Sequence, residues 1–367
     1  MKISTKRITA ALAASVMVMG LMAGCTNDKV TNSNSSAAST EESTAASTEE
    51  STEESAASEE GSTEQTKVED GKVYNIGICQ LVQHPALDAA TKGFRDKLTE
   101  LAGEDHVKFD EQNAQGDSPT CATICNQFVS SKYDLIMANA TPALQAASTA
   151  TADIPVIATS ITDYASALDA KDWNGKTGTN VTGTSDLAPL AEQANIVKEL
   201  IPDAKTVGIL YCSAEANSKY QATEITKSFT ELGYTVKEYT FTDSNDVAQV
   251  TTTACNESDV IYIPTDNVAA SNAELIDTVA TPAKKPIIAG EENICKGCGI
   301  ATLSISYYDL GCATGEMAYD ILVNGKNPGE MDIKYSPKFT KEYMADRAKA
   351  LGITIPDGYE EIKADAE

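Results

Sequence analysis

From residue 73 onward, short apolar runs alternate with longer segments whose apolar residues recur every three or four positions. The run 74–81 predicts a strand. Residues 84–101 predict a helix, with Pro85 in the first turn and Leu87, Phe94, Leu98 and Leu101 near helical spacing. A strand at 107–109 and a helix from Asp117 to about Val129 follow. The run 134–138 is apolar without interruption, as expected of a strand covered on both faces. Thr141-Pro142 opens another helix, and 154–158 predicts a fourth strand. Strands and helices in strict alternation indicate a parallel sheet with helices on both sides.

The pattern is then repeated. A helix at 190–200 precedes a strand at 206–211, a helix at 215–232 stopped by Gly233, and a strand at 235–241. Next come a helix at 247–256, a strand at 260–263, a helix at 272–278 and a strand at 286–289. Residues 181–186 predict a strand running into a crossover between the two units. The expected fold class is α/β, with two doubly wound parallel-sheet lobes joined by a hinge. Lobe 1 is expected over 71–185 plus about 306–330, and lobe 2 over 186–305 plus about 331–367.

Ligands of such sheets lie beyond the carboxyl ends of the strands. In a two-lobed protein those ends face each other across a cleft, so the residues after each strand are the candidate site. They are rich in hydrogen-bonding side chains: Gln80 and His84, Thr141, Thr159, Thr184, Ser213 with Asn217 and Ser218, Asp266 with Asn267, and Glu291. Several stand where helices begin, where free N–H groups and the helix dipole favour a carboxylate. Asp266 and Glu291 are acids placed to meet an ammonium group. Together these features suit a zwitterion such as an α-amino acid. Capping of helices accounts for any one of these residues, but less readily for all of them.

The amino-terminal part differs in kind. Lys2, Lys6 and Arg7 precede an Ala- and Met-rich apolar stretch that is short for a membrane span and ends at Ala23-Gly24-Cys25. Small residues before a cysteine resemble the lipobox of bacterial lipoproteins. That resemblance implies a signal peptide over 1–24 and a lipid on Cys25, anchoring an extracytoplasmic protein to the bacterial cell membrane. Residues 26–70 are almost wholly Ser, Thr, Glu and Ala, with 12 acids and 2 lysines. Such a segment buries too little surface to offset its ordering entropy, and an extended acidic tether is expected. The whole chain carries a formal charge of -26; setting aside +3 from the leader and -10 from the tether leaves -19 on the remainder. That acidity argues against nucleic acid as a partner.

Six blocks carry a resemblance to a known family: Gln83-His84-Pro85-Ala86-Leu87-Asp88-Ala89-Ala90, Gln112-Asn113-Ala114-Gln115-Gly116-Asp117, Ala140-Thr141-Pro142-Ala143, Asn180-Val181-Thr182-Gly183-Thr184-Ser185-Asp186, Ser213-Ala214-Glu215-Ala216-Asn217-Ser218 and Pro264-Thr265-Asp266-Asn267. In that order they resemble the substrate-binding proteins of ABC transporters of the tryptophan/tyrosine (TrpX-like) type. The resemblance implies a type I periplasmic-binding-protein fold, permease and ATPase partners, no cofactor, no catalysis and an amino-acid ligand, commonly aromatic. Carried over by position, Thr141 would hold the ligand carboxylate, Asn217 and Ser218 would close on it, and Asp266 would pair with the ammonium. Gln80, His84 and Thr184 would line the pocket. A monomer is expected.

Two alternatives stay open on sequence grounds. The same fold serves as a ligand sensor that presents to a receptor. Cys295-Lys296-Gly297-Cys298 could be a redox pair or half a metal site, although His84 and His106, the only histidines, lie far off in sequence. Eight cysteines besides Cys25 permit disulfides, yet Cys79 and Cys212 lie within apolar runs and read as small buried hydrophobes. No nucleophile elbow, dinucleotide fingerprint or P-loop is present.

Overall fold

The computed structural model describes residues 67–363. The expected export leader, Cys25 and nearly all of the segment expected to be an acidic tether lie outside the described residues. The first lobe runs β1 (Tyr74–Gln80), α1 (Pro85–Ala102), β2 (Val107–Asn113), α2 (Ser118–Ser130), β3 (Leu135–Asn139), α3 (Thr141–Ala150), β4 (Val156–Ile161), α4 (Tyr164–Ala167) and β5 (Val181–Ser185). The second runs α5 (Leu190–Leu200), β6 (Thr206–Cys212), α6 (Ala216–Glu231), β7 (Thr235–Phe241), α7 (Val247–Glu257), β8 (Val260–Ile263), α8 (Asn267–Ser271), α9 (Ala273–Ala280), β9 (Ile287–Ala289), α10 (Glu292–Cys298) and β10 (Ala301–Ser304). The chain then returns to the first lobe as α11 (Tyr307–Leu322) and β11 (Lys334–Tyr335). It ends in the second lobe with β12 (Thr340–Tyr343), α12 (Ala345–Ala350) and β13 (Glu360–Glu361).

The first sheet has the order β11-β5-β4-β3-β1-β2 and is parallel throughout. The second has the order β13-β12-β10-β9-β8-β6-β7, with one antiparallel pairing, β10 with β12. Both sheets are covered on both faces, which explains the uninterrupted apolar strands. Along β1 and β3, Ile76, Ile78, Leu135 and Met137 enter the core beneath α1 and α11. Cys79, Ile136 and Ala138 enter the opposite core, with Phe128 and Leu144 of α2 and α3. This is the two-residue period of a strand.

The last crossover falls later than the sequence reading placed it. Lys334 and Tyr335 pair with Thr184 and Ser185, and Ile333 is buried in the first lobe's core. A two-residue edge strand is too short to leave a periodic signal. The helix expected over 215–232 runs from Ala216 to Glu231, after the chain turns through Ser213 and Ala214.

α1 and α11 pack with their backbones almost in contact. A Cβ on Gly93 would lie 2.1 Å from the Tyr308 carbonyl oxygen, and one on Gly311 would lie 2.0 Å from that of Ala90. These two helices begin at the cleft, so their close packing fixes His84 and Tyr307 relative to each other.

Candidate functional site

The carboxyl ends of the two sheets meet around a narrow cavity that is partly open to solvent. His84, Ala86 and Leu87 reach it from the start of α1, and Ser160, Thr162 and Asp186 from the ends of β4 and β5. Asn217 of α6, Thr265, Asp266, Asn267 and Ala270 around α8, and Glu291 and Ile294 around α10 form the opposing wall. Tyr307 contributes from the crossover into α11. Ser160 has a positive φ of 57°, and the pairing of β4 with β5 shifts register between Ala158 and Ile161. Such a bulge re-aims a side chain beside a site.

Five of the expected residues line this cavity: His84, Asn217, Asp266, Asn267 and Glu291. Gln80, Thr141, Thr159, Thr184, Ser213 and Ser218 are not among its lining residues. Gln80 accepts from Thr91 at 2.7 Å and donates to Asp88 at 2.6 Å, which ties β1 to α1. Thr184 bonds Thr159 at 3.2 Å and Thr314 at 2.9 Å, fastening α11 onto the sheet. Thr141 is buried in the first turn of α3. Ser213 donates to the Phe241 carbonyl at 3.2 Å, and buried Ser218 accepts from Asn217 at 3.2 Å.

Strand-end reading passed over Ser160, Thr162, Asp186 and Thr265, although all four lie in the polar segments it singled out. Tyr307 follows β10, which carried no sequence prediction.

The polar lining consists mainly of hydrogen-bond acceptors. Asp186, Asp266 and Glu291 are all buried, and no lysine or arginine lines the cavity. Burial raises the Asp186 carboxyl to about 6 and that of Glu291 to about 7. Burial, then the nearby Glu215 charge, raises Asp266 to about 7. Asn217 spends its amide nitrogen on Glu215, Ser218 and the Thr265 carbonyl, while its Oδ1 is buried without a partner.

The tautomer of His84 follows from its neighbour. Asn267 donates its amide nitrogen to Glu215 at 2.7 Å, so its Oδ1 is the atom facing His84 Nε2 at 3.3 Å. Nε2 therefore carries the proton and Nδ1 the lone pair. Burial lowers the His84 pKa and keeps the ring neutral. Its Nδ1 is a buried acceptor with no donor, and Ser160 Oγ is likewise unpartnered. Buried polar groups are almost always satisfied, so orphans from both lobes around one cavity point to a bound partner.

Donors are also present. His84 caps α1 without a side-chain bond to its first turn. The N–H groups of Ala86 and Leu87 thus lack an intrahelical partner and bear the positive end of an 18-residue helix. Ala86, Leu87, Ala270 and Ile294 give the cavity an apolar side.

The lobes are drawn together. His84 meets Asn267 across the cleft, and Gln221 of α6 donates to Thr162 of the first lobe at 3.2 Å. The cysteines take no part. All eight described cysteines are free, and seven are buried. Cys295 and Cys298 lie inside α10 with their thiols raised by burial, the reverse of a reactive pair.

A two-lobed α/β fold with a polar cavity at the facing strand ends defines a solute-binding protein, in which closure encloses a small molecule. The chain belongs to the ABC transporter substrate binding protein family, whose family model matches residues 75–366. It is accordingly a binding protein and not an enzyme; it acts outside the cytoplasm, takes a small-molecule ligand and works with transporter components.

It is 35% identical to a tyrosine-binding protein of Clostridioides difficile, over 99% of this chain and 98% of that one. A domain from Streptococcus pneumoniae solved in complex with L-Trp is 36% identical, with a TM-score of 0.76, covering 79% of this chain and all of its own. A ligand-free, open substrate-binding protein with adhesive properties from Clostridium difficile is 38% identical, with a TM-score of 0.62, covering 80% of this chain and all of its own. The better overlap with the complex, at similar identity, agrees with the interlobe hydrogen bonds.

Proposed function

We propose that this protein binds an aromatic amino acid, tyrosine, tryptophan or phenylalanine, between its lobes and delivers it to an ABC importer. One observation carries the reading. The cavity joins three buried carboxylates and two orphaned acceptors to the free N–H groups of α1 and an apolar wall. An ammonium group brings donors to the acceptors, a carboxylate accepts from the helix end, and an aromatic ring covers the apolar side. The tyrosine-binding and Trp-complexed relatives support the aromatic class.

The test is a thermal-shift screen of the twenty amino acids, followed by calorimetry. Tyrosine, tryptophan or phenylalanine should raise Tm, since a ligand at about 100 times its Kd adds about 2.7 kcal/mol. A flat response to all twenty, or a rise with sugars alone, defeats the reading.

The proposal extends to the anchor. Lipid on Cys25 and the acidic segment over 26–70 would hold a monomeric binding domain at the membrane, within reach of its permease and ATPase. Cys25→Ser should move the protein from the membrane fraction to the medium. Retention in the membrane fraction would place the anchor elsewhere.

A further inference from the structure

We propose that Asp186 receives the ammonium group of the ligand, and that this contact couples binding to lobe closure. The assignment rests on the reading of the cavity as an amino-acid site.

The three carboxylates of the cavity differ in what already holds them. Asp266 caps α8: its Oδ1 accepts from the Ala269 amide at 2.7 Å and its Oδ2 from the Cys212 amide at 2.6 Å. Glu291 caps α10, accepting from the amides of Asn293 and Ile294. Both acids are thus committed to the fold through backbone donors that cannot turn away.

Asp186 is held differently. Its side chain accepts from two hydroxyls, Thr162 at 3.3 Å and Tyr307 at 3.0 Å, and its backbone donor is its own amide rather than one of a helix it caps. Each oxygen retains a lone pair, and hydroxyl donors can swing to admit a third partner. A buried carboxylate without a cation is costly, and an incoming ammonium removes that cost. The orphaned acceptors of His84 and Asn217 line the same cavity and offer further places for N–H donors.

Position supplies the second half of the inference. Asp186 follows β5 at the first crossover between lobes, and Tyr307 opens α11 just after the second. Thr162 donates to Asp186 and accepts from Gln221 of the second lobe at 3.2 Å. Gln221 in turn accepts from the Thr265 hydroxyl at 2.6 Å on the far wall. An ammonium on Asp186 keeps that carboxylate charged, and hydrogen bonds to a charged acceptor are the stronger ones. The ligand therefore tightens a chain that joins both crossovers and both walls, so its affinity is greater for the closed form.

The experiment is calorimetry with the amino acid that wild type binds best and with its des-amino analogue, the corresponding arylpropionate. Wild type should bind the amino acid at least 100-fold more tightly than the analogue. Asp186→Asn should lose at least tenfold for the amino acid and little for the analogue. Asp266→Asn and Glu291→Gln should lower Tm but keep most of the discrimination between the two ligands. Tyr307→Phe retains the carboxylate and covers the case in which Asp186→Asn does not fold. It should weaken the amino acid several-fold and spare the analogue, whereas equal loss for both ligands would mark a merely structural role and overturn the proposal. Discrimination kept in Asp186→Asn but lost in Asp266→Asn or Glu291→Gln also overturns it and leaves the amino-acid reading intact. Wild type that binds no amino acid removes both.

Discussion

Asp186, Asp266 and Glu291 each sit where a charge is expensive, and the cost sets a pH dependence. Their carboxyls titrate at about 6, 7 and 7 in the folded protein, raised first by burial. In the unfolded chain they return to the ordinary range near 4. Between about pH 4 and pH 7 the folded state therefore holds more protons than the unfolded one, and stability falls as pH rises through that window. Their stabilising contribution is complete below the unfolded value and lost above the folded one. Thr162 and Tyr307 face Asp186, while Glu215, Ser218 and two amides surround Asp266; His84, its pKa lowered by burial, acts with the opposite sign over the same range, and the three carboxyls outweigh that one imidazole. The Tm of ligand-free protein should fall between about pH 5 and pH 7.5, and Glu291→Gln should flatten that slope. An unchanged slope in the variant would assign the titration to other groups.

At the scale of elements, the site depends on how helices start. α8 and α10 are short, and each begins with a buried acid that bonds its own first turn. α1 begins at His84 with no such bond, which leaves its amides for a ligand. The position of α1 depends on α11 in turn, through Gly93 and Gly311. Gly311→Ala would push a methyl group onto the Ala90 carbonyl and force the helices apart. Overpacking of this kind costs about 1–3 kcal/mol. Urea unfolding should show that loss, and calorimetry should show weaker binding, because Tyr307 and His84 move with their helices. Wild-type stability in this variant would mean that the helix pair is free to slide.

For the whole molecule, the interlobe bonds of His84 with Asn267 and Gln221 with Thr162 stabilise the closed arrangement of the lobes. A ligand then adds only its differential affinity for the closed state. Gln221 does not line the cavity, yet it bridges the lobes. Gln221→Ala should give a larger radius of gyration by small-angle scattering without ligand, and a several-fold loss of affinity, while the ligand-bound radius stays as in wild type. An unaltered ligand-free radius would show that this bond does not bias the hinge.

Local pattern was enough to place most strands of both sheets. Continuous apolar runs can be satisfied only between two layers of helices, and Pro85, Asp117 and Gly233 mark helix ends by local chemistry: a fixed φ, a side-chain cap and a residue free to turn. The same logic drew attention to the polar strand ends, where His84, Asn217, Asp266, Asn267 and Glu291 line the cavity. Composition could not separate a lining residue from a brace. Thr184 and Asp186 are two positions apart, yet one fastens α11 to the sheet and the other lines the cavity. The last crossover was equally hidden, because a two-residue strand at Lys334 and Tyr335 has no period to read. Chain-local forces choose helix, strand and cap, whereas the partners of a buried polar atom are fixed only when distant segments meet. The sequence by itself therefore determined a two-lobed α/β protein with polar strand ends. Which acids cap helices and which one remains open to a ligand was decided by tertiary structure, since that depends on the amides and hydroxyls that packing brings beside each carboxylate.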